Sequence, residues 1–277
     1  MPELSINSQV CTRCGMCVTA CPLGIVKLVD GGYPSYVAES ASRCILCGHC
    51  YAACPTGALV VSDERLDQNP PAAWEPEDAL IEPEKLGAYL RMRRSIRSYR
   101  EEPVERPVIE QLMNIVRYAP SSSNSQATRW LVIYDTGEVR RLTGFAVDWM
   151  RSMVSSKAPL TAYFSFEDII RAWDNGDDPV CRMAPHLVVA YAHQDAVAAK
   201  TDAIIALSHL DIAAPAFGLG TCWAGFFQMA AIQWEPLRVG LNLPPEHLPI
   251  YTMMLGYPQF RYLRPPKRKP VDITWRS

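Results

Sequence analysis

Residues 11–22 read Cys11-Thr-Arg-Cys14-Gly-Met-Cys17-Val-Thr-Ala-Cys21-Pro22, and residues 44–55 read Cys44-Ile-Leu-Cys47-Gly-His-Cys50-Tyr-Ala-Ala-Cys54-Pro55. Both runs have the form C-x2-C-x2-C-x3-C-P, so the chain contains an internal repeat. The two runs hold eight of the ten cysteines. The chain opens without a basic segment followed by an apolar one, so we expect no secretory signal. In such a chain, clustered cysteines favour metal binding over disulfides.

The spacing of the repeat indicates iron–sulfur ligation. Three cysteines of such a run bind one [4Fe–4S] cluster, while the fourth, before the proline, binds the other cluster. Two clusters with exchanged fourth ligands are therefore predicted. The ligands are Cys11, Cys14, Cys17 and Cys54 for the first cluster and Cys44, Cys47, Cys50 and Cys21 for the second. A pair of zinc sites would also use eight thiolates and is the alternative.

Residues 1–62 resemble the bacterial two-[4Fe–4S] ferredoxins. Beyond the two cysteine runs, each motif leads into a short apolar stretch, at residues 24–28 and 56–61. The resemblance implies a pseudo-symmetric, ferredoxin-like module that passes single electrons.

The overall composition is that of a globular protein, with 277 residues of which 49% are hydrophobic and 20% charged. The 27 basic and 29 acidic residues give a net charge of −2, so no electrostatic footprint of nucleic-acid binding exists. No apolar run reaches the roughly 18 residues of a membrane span. We therefore expect a cytoplasmic protein with neither nucleic acid nor a membrane as its partner.

Charge and proline content divide the chain into three parts. Residues 63–90 carry eight acidic against two basic groups, whereas residues 1–62 are neutral and the remainder is basic. We predict a module at 1–62, an acidic proline-rich linker at 63–85 and a main domain at 86–277. The prolines favour an extended tether. It is either a solvated connector or a strap held on the main domain by Trp74, Leu80 and Ile81.

Periodicity predicts the elements of the main domain. Apolar residues at three- and four-residue spacing indicate a helix at about 107–119, and apolar runs indicate strands at 130–134, 187–192 and 250–255. A long helix at about 201–217 is too apolar for the surface, so it should be central or lie at an interface. Pro215 is expected to kink this helix. Helices around a mixed sheet make an α+β domain.

Several polar segments of the main domain could bind a cofactor. Arg93, Arg94 and Arg97 flank Ser95 and could bind a phosphate through charge-assisted hydrogen bonds, although the three arginines taken alone better suit a solvated basic helix face. Hydroxyl groups and an amide that could bind a cofactor are present in residues 120–124. The glycines of residues 218–225 leave backbone groups accessible, and residues 264–270 contain further basic side chains. The glycines of 218–225 are not a dinucleotide fingerprint, because that segment follows a helix rather than a strand.

The motifs Arg-Arg-Ser-Ile-Arg-Ser-Tyr, Ala-Pro-Ser-Ser-Ser-Asn-Ser-Gln and Gly-Leu-Gly-Thr-Cys-Trp-Ala-Gly, in this order within residues 88–277, resemble the FMN-dependent nitroreductase family. The resemblance implies an α+β homodimer with FMN at the subunit interface. It assigns the FMN phosphate to Arg93, Arg94, Ser95 and Arg97, completed by Lys267 or Arg268. It assigns contacts with the flavin or phosphate, of the neighbouring subunit, to Pro120, Ser121, Ser122 and Asn124. Trp223, Ala224 and Gly225 would pass near the reactive N5 edge.

Two other groups of residues have simpler alternatives. Residues 145–185 are rich in aromatic and methionine side chains, which either form a lid selecting a flat apolar substrate or are plain packing. The residues concerned are Trp149, Met150, Met153, Tyr163, Phe164, Phe166 and Trp173. Cys181 and Cys222 are expected to be buried small hydrophobes.

Together these patterns predict an iron–sulfur flavoprotein oxidoreductase. A low-potential donor such as reduced ferredoxin or flavodoxin feeds two [4Fe–4S] clusters and then FMN, which reduces a nitro compound, quinone or activated alkene. The cofactors carry this chemistry, so no catalytic side chain is assigned. Three alternatives stay open. NAD(P)H could reduce FMN directly, with the clusters as electron exit; the flavin could perform reductive dehalogenation or flavin cleavage; or the protein could be a non-catalytic redox carrier or sensor.

Overall fold

The computed structural model describes residues 1–29, 32–67 and 80–276, which form two compact units. One unit comprises Met1–Leu80 with Ser122–Ser125, and the other comprises Ile81–Ser121 with Gln126–Ser277. Trp74, expected to hold the linker, lies outside the described residues. Leu80 and Ile81, which were expected to hold the linker on the main domain together with Trp74, are 80% and 64% exposed. The character of the linker stays a prediction.

The first unit repeats one small pattern around the two cysteine runs. Its elements are β1 (Glu3–Ile6), α1 (Met16–Ala20), β2 (Val26–Leu28), β3 (Pro34–Tyr36), α2 (His49–Ala52) and β4 (Leu59–Ser62). β1 pairs with β4 and β2 with β3, both antiparallel. Glycines in the left-handed region begin both helices, Gly15 with φ of 77° and Gly48 with φ of 72°. Without a side chain they make these sharp turns at no steric cost.

The described part of the second unit contains seven α-helices and a four-stranded sheet. Its elements are α3 (Pro83–Met92), α4 (Arg106–Val116), β5 (Arg129–Ile133), α5 (Thr136–Ser155), α6 (Phe166–Asp174), β6 (His186–His193), α7 (Ala199–Ala213), β7 (Gly220–Trp223), α8 (Gly225–Gln233), α9 (Glu235–Gly240) and β8 (His247–Gly256). The helix and strands expected from periodicity are all present, displaced at their ends by a few residues.

The sheet has the order β5-β6-β8-β7, and each pair among these described strands is antiparallel. The α+β class is confirmed, but the expected mixed sheet is antiparallel instead. The connections explain this. The chain passes through α5 and α6 between β5 and β6, and through α8 and α9 between β7 and β8. After each pair of helices the next strand runs in the opposite direction to the strand before it. The single helix α7 joins β6 to β7, and these two run the same way without being neighbours.

Both faces of the sheet are covered by helices. Along β6, Leu187 and Val189 pack with α5, α6, α8 and α9, while Val188 and Ala190 pack with α4 and α7. Alternate residues of a strand point to opposite faces, so a strand covered on both sides is apolar throughout. This is why residues 187–192 read as a continuous apolar run.

Pro215 ends the long apolar helix instead of kinking it. α7 stops at Ala213, and a 3-10 turn follows at Ala214–Phe217. Proline has no N–H to donate and favours the first turn of a new helical segment. One side of α7 lies in the core through Ala203, Leu207 and Leu210, as expected for a central helix.

We expect Gly256→Ala to lower the free energy of unfolding by about 1–3 kcal/mol, the usual cost of overpacking. A Cβ at this position would lie 2.6 Å from Pro185 Cδ and 2.9 Å from Tyr99 Cδ1, and neither ring can move freely. Urea denaturation measures the change. Gly144→Ala is the matched control, because the nearest atom to its added Cβ, Trp173 Cζ2, is 3.6 Å away and alanine favours the helix. Equal stability of the two variants would contradict the prediction.

Candidate functional site

The eight cysteines of the repeat line two separate cavities of the first unit. The first thiol cavity, of about 350 Å³, has Cys11, Cys14, Cys17 and Cys54 on its walls. The second thiol cavity, of about 370 Å³, has Cys21, Cys44, Cys47 and Cys50. The cavities therefore contain the two ligand sets expected from the spacing, with the fourth cysteine of each run in the other run's cavity. All eight thiols are free.

Local backbone geometry turns the cysteines inward. The residue before the second cysteine of each run, Arg13 or Leu46, has φ of 58° or 54°, and the glycine after that cysteine is also left-handed. Two left-handed residues so close together fold each run into a tight loop. Such conformations are costly outside glycine and persist where the surrounding structure holds them.

The sulfur of the fourth cysteine of each run, Cys21 or Cys54, accepts hydrogen bonds from backbone N–H groups. Burial raises the pKa of the Cys21 thiol, but hydrogen bonds from the backbone of residues 23–26 outweigh it and lower that pKa. The pKa of Cys54 is lowered in the same way, by backbone N–H groups of residues 56–59 and by the Thr56 hydroxyl. N–H donors around a sulfur stabilise its thiolate, the form that binds iron.

The third cysteine of each run, Cys17 or Cys50, has a raised thiol pKa instead of a lowered one. Burial raises the pKa of Cys17, and burial raises the pKa of Cys50 to about 11. These thiols are carried inward by the short helices α1 and α2. A buried thiol that faces three others needs positive charge from a bound group before it ionises.

One buried polar atom also faces the second thiol cavity. The Tyr36 hydroxyl has no nitrogen or oxygen partner among the described residues, and Tyr36 is part of the cavity wall. Burial and the thiols of Cys44, Cys50 and Cys21 raise the pKa of Tyr36. A buried hydroxyl beside four thiols fits a cavity built for a sulfur-containing group.

The donor set therefore fits multi-atom iron–sulfur clusters. Within the described residues, no three Cys, His, Asp or Glu side chains converge on a point that could hold a single metal ion. Four thiols that face one cavity are the ligand set of a [4Fe–4S] cluster.

In the second unit, Arg93 is anchored by a buried carboxylate. Its Nη1 lies 2.9 Å from Asp211 Oδ2, and the Thr221 hydroxyl donates to Asp211 Oδ1. Asp211 is 8% exposed and lies at the end of α7. The backbone of the arginine segment is tied to β7 by the Ile96 N–H, which donates to the Thr221 carbonyl at 2.8 Å. Arg93 is thus fixed in place by two elements.

Arg94 has no acidic partner among the described residues; its guanidinium donates to the backbone carbonyls of Arg91 and Met92. Burial lowers the pKa of Arg94, and the nearby charges of Arg268 and Arg93 lower it further. The charges of Arg93 and Arg268 therefore both act on Arg94, and Arg93 is itself paired with Asp211. We call Arg93, Arg94 and Arg268 the arginine site. A bound phosphate dianion would relieve the repulsion at Arg94.

The other two residues of that motif face a buried thiol. Burial raises the pKa of Cys222, while the charge of Arg97 and a hydrogen bond with Ser95 oppose it. Ser95 is half-buried and Arg97 exposed. The structure therefore brings Arg93, Arg94 and Arg268 together, and places Ser95 and Arg97 beside Cys222 on β7. The phosphate roles of Ser95 and Arg97 stay predictions.

Residues 120–124 are divided between the two units. Pro120 is exposed, and the half-buried Ser121 hydroxyl accepts from the Gln126 N–H at 3.0 Å. Ser122 and Asn124 belong to the first unit, in which Asn124 Nδ2 donates to the Ile45 and Leu46 carbonyls at 3.0 Å each. The expected flavin contacts of all four residues stay predictions.

Trp223, Ala224 and Gly225 form the junction from β7 to α8. Ala224 is fully buried and its N–H donates to the Thr252 carbonyl at 2.9 Å. Trp223 packs edge-on against Tyr251, with ring centroids 4.9 Å apart. Gly225 begins α8, and a Cβ there would meet nothing nearer than Tyr251 Oη at 3.8 Å. The junction is held by these contacts, and its approach to a flavin edge stays a prediction.

Lys267 and Arg268 lie in an exposed C-terminal segment without regular structure. Of the two, Arg268 is the one whose charge acts on Arg94. Arg268 is therefore the better candidate of the two for the FMN phosphate, and this role stays a prediction. Lys267 is exposed, and its backbone carbonyl accepts a hydrogen bond from Arg268 Nη1 at 3.5 Å.

The aromatic segment 145–185 divides into core and surface. Trp149, Met150 and Phe166 are fully buried in the core, as expected if these residues serve packing and not a substrate lid. Tyr163 is 81% and Phe164 37% exposed. Phe164 stacks on Phe166, with ring centroids 5.8 Å apart. Met153 and Trp173 are half-buried, so Tyr163 and Phe164 are the most exposed of the aromatic and methionine side chains named for this segment.

Cys181 and Cys222 are both buried, as expected. Burial raises the pKa of each thiol. A thiol so placed is inert as a nucleophile.

Sequence reasoning missed Asp211, Thr221 and Tyr36. Asp211 carried a usable signal, because it is a carboxylate near the end of a largely apolar helix. Buried acids are rare unless they are paired. Thr221 and Tyr36 carried no such signal, because their contacts depend on which strands become neighbours.

Comparison with known families agrees with both units. The model of the Nitroreductase family matches residues 90–257, more than half of the chain. The model of the 4Fe-4S dicluster domain matches residues 10–59. Within the described residues no helix is long and apolar enough to cross a membrane.

Curated relatives and solved structures show the same likeness. The FMN reductase (NAD(P)H) of Bacillus subtilis (strain 168) is 27% identical over 180 residues, covering 63% of this chain and 66% of that protein, just under two thirds of its length. The nitrobenzene nitroreductase of Ectopseudomonas oleovorans is 28% identical over 201 residues, covering 61% of this chain and 84% of that protein. A nitroreductase with bound FMN from Bacteroides fragilis NCTC 9343 superimposes with a TM-score of 0.58 at 18% identity, covering 70% of this chain and 99% of that one. At that identity the superposition shows the fold.

Proposed function

Because the chain belongs to the nitroreductase family, we propose that it is an FMN-dependent oxidoreductase. Electrons from a low-potential donor pass through two [4Fe–4S] clusters to FMN and then to a small aromatic or conjugated organic substrate. The observation that carries this proposal is the presence, in one chain, of two four-thiol cavities and a nitroreductase domain with a convergent arginine site. When bound, the clusters supply one-electron transfer and FMN supplies hydride transfer.

The residues of the first unit would hold the clusters. Each thiol cavity provides four cysteines, and backbone N–H groups at Cys21 and Cys54 stabilise thiolates there. Cluster binding also supports the unit itself, whose buried hydrophobic core consists of few residues. A unit with so small a core depends on its bound groups for stability.

The residues of the second unit would hold FMN. The arginine site presents three guanidinium groups to the phosphate, and Asp211 orients one of them. The segment 223–225 presents a backbone held by its contacts with Thr252 and Tyr251. Because no acidic or nucleophilic side chain is required by hydride transfer from a flavin, binding and positioning are the protein's contribution.

The names of two relatives support a nitroaromatic as one substrate to test. Two curated relatives carry the names nitrobenzene nitroreductase and chloronitrobenzene nitroreductase, at 28% identity each. The exposed rings of Tyr163 and Phe164 suit a flat apolar molecule. We propose nitroaromatics, quinones and activated alkenes as the compounds to test.

The direction of electron flow is tested by anaerobic reduction of the complete protein. Reduced ferredoxin or flavodoxin is expected to bleach the flavin band, whereas NADH or NADPH alone leaves it oxidised. Turnover of a nitroaromatic or quinone under the same conditions would then establish an enzyme. A reducible flavin without turnover of any acceptor would instead indicate a carrier or sensor.

A second candidate function is favoured by one observation, the name FMN reductase (NAD(P)H) of a relative at 27% identity. In this alternative, pyridine nucleotide reduces FMN directly and the clusters carry electrons outward. Prompt bleaching of the flavin by NADH or NADPH would support it and would contradict the entry of electrons through the clusters.

We further propose a homodimer. In the single chain Ile204 and Ile212, on the side of α7 away from the core, are 36% and 42% exposed. The C-terminal segment adds Leu263, Val271 and Trp275, each at least 80% exposed. Apolar residues exposed in this number mark an interaction surface, and a second copy is the partner that the symmetry of most soluble oligomers favours.

Replacing Ile204 and Ile212 with glutamate is expected to convert the dimer to a monomer. Four carboxylates would then meet in an apolar interface, where unpaired charges are costly to bury. Light scattering after size-exclusion chromatography measures the mass. Val239→Glu, another exposed apolar position (70%), is the control. A monomeric native protein would refute the proposal.

We propose a reducing, cytoplasmic location for this oxidoreductase, because eight of its ten cysteines are assigned to iron–sulfur clusters and not to disulfides. Fractionation of the cells that produce it, with the protein followed by antibody, tests that location. Recovery in a secreted or membrane fraction would exclude it.

A further inference from the structure

The two thiol cavities differ at one equivalent position. Each residue of the first cysteine run has its counterpart 33 residues later. Val26 and Leu59 are such a pair, and Val26 pairs with Tyr36 while Leu59 pairs with Ile6. Tyr36 and Ile6 therefore occupy matching places in the two halves of the unit. Ile6 lines the first cavity and Tyr36 the second.

The hydroxyl of Tyr36 is buried and has no nitrogen or oxygen partner among the described residues, and the acceptor beside it is the sulfur of Cys44. Buried hydroxyls without a nitrogen or oxygen partner are rare, and each requires an explanation. Packing does not supply one, because Ile6 fills the matching place without a polar atom.

The surroundings leave a sulfur as the available acceptor. Apart from its cysteines and Tyr36, the residues that line the second cavity are apolar or glycine, among them Leu23, Ile45 and Leu46. The matching positions of the first cavity are Thr56, Thr12 and Arg13. Tyr36 is thus the one hydroxyl donor among the described side chains lining the second cavity.

We propose that Tyr36 donates its hydroxyl hydrogen to a sulfur of the cluster in the second thiol cavity and raises the reduction potential of that cluster alone. The inference rests on the proposed function, in that it requires a [4Fe–4S] cluster in each cavity. Reduction adds a negative charge to the cluster, so a donor to its sulfur stabilises the reduced form more than the oxidised form. The Tyr36 position thereby makes the two clusters unequal.

Tyr36→Phe tests this in the complete, cluster-loaded protein. Anaerobic redox titration followed by electron paramagnetic resonance measures the midpoint potential of each cluster. We expect the equilibrium constant for reducing one cluster to fall by up to about tenfold, a shift of about −59 mV for one electron. The other midpoint stays in place. Tyr36→Leu places an aliphatic side chain there, as Ile6 does at the matching position of the first cavity, and is expected to shift the same midpoint in the same direction.

The control is Tyr51→Phe, which removes a hydroxyl from an exposed tyrosine outside both cavity walls and is expected to leave both midpoints unchanged. Unchanged midpoints in both Tyr36 variants, with about eight iron atoms retained per chain, would overturn the role of Tyr36 while leaving the proposed function intact. Native protein with iron for only one cluster would instead refute the two-cluster proposal.

Discussion

The double variant Arg94→Ala/Arg268→Ala is expected to bind FMN roughly a hundredfold more weakly than the native protein. In the native structure the charges of Arg93 and Arg268 both act on Arg94. A hydrogen bond to a charged group is worth about 1.5–3 kcal/mol, and every 1.4 kcal/mol is tenfold in affinity. Loss of two such groups accounts for the expected change. Quenching of FMN fluorescence by the apoprotein measures it.

Two further variants separate phosphate binding from folding. Arg171→Ala removes an exposed cation that pairs with Asp168 at 3.0 Å, and it is expected to leave FMN affinity and stability unchanged. Arg93→Ala is expected to weaken FMN binding and also to destabilise the domain, because it leaves the buried Asp211 without its cation. If the double variant keeps native FMN affinity, the phosphate binds elsewhere.

Double cysteine variants should show that the clusters exchange their fourth ligands. Cys11 and Cys54 line the same cavity although they belong to different runs. Cys11→Ala/Cys54→Ala therefore removes two ligands of one cluster and is expected to retain about four of the roughly eight iron atoms of two cubanes. Cys47→Ala/Cys54→Ala removes one ligand from each cluster and is expected to retain almost none. Iron and acid-labile sulfide analysis measures both.

The two double variants control for each other, because both remove two thiols and both share Cys54. Ligands that stay within their own run would give the reverse result, with iron lost from the Cys11/Cys54 variant and half retained in the Cys47/Cys54 variant. Zinc without sulfide in the native protein would overturn the iron–sulfur assignment itself.

The sequence by itself determined the features that depend on neighbours along the chain. The C-x2-C-x2-C-x3-C-P spacing predicted which cysteines line the same cavity, because a tight loop of left-handed residues and glycines has little freedom in how it presents its cysteines. Apolar periodicity predicted α4, α7 and the strands β5, β6 and β8 within a few residues. Local spacing sets local geometry, so these predictions needed no tertiary contact.

The tertiary structure alone decided which distant residues meet. Asp211 and Arg93 come together because α7 lies against the start of the domain, and no sequence period links them. The antiparallel order of the sheet followed from how the helices return the chain, and the burial of Phe166 followed from how α5 and α6 pack. The unequal pair Ile6 and Tyr36 became visible only through strand register. These contacts join residues far apart in sequence, and their free energy comes from packing that local propensity does not contain.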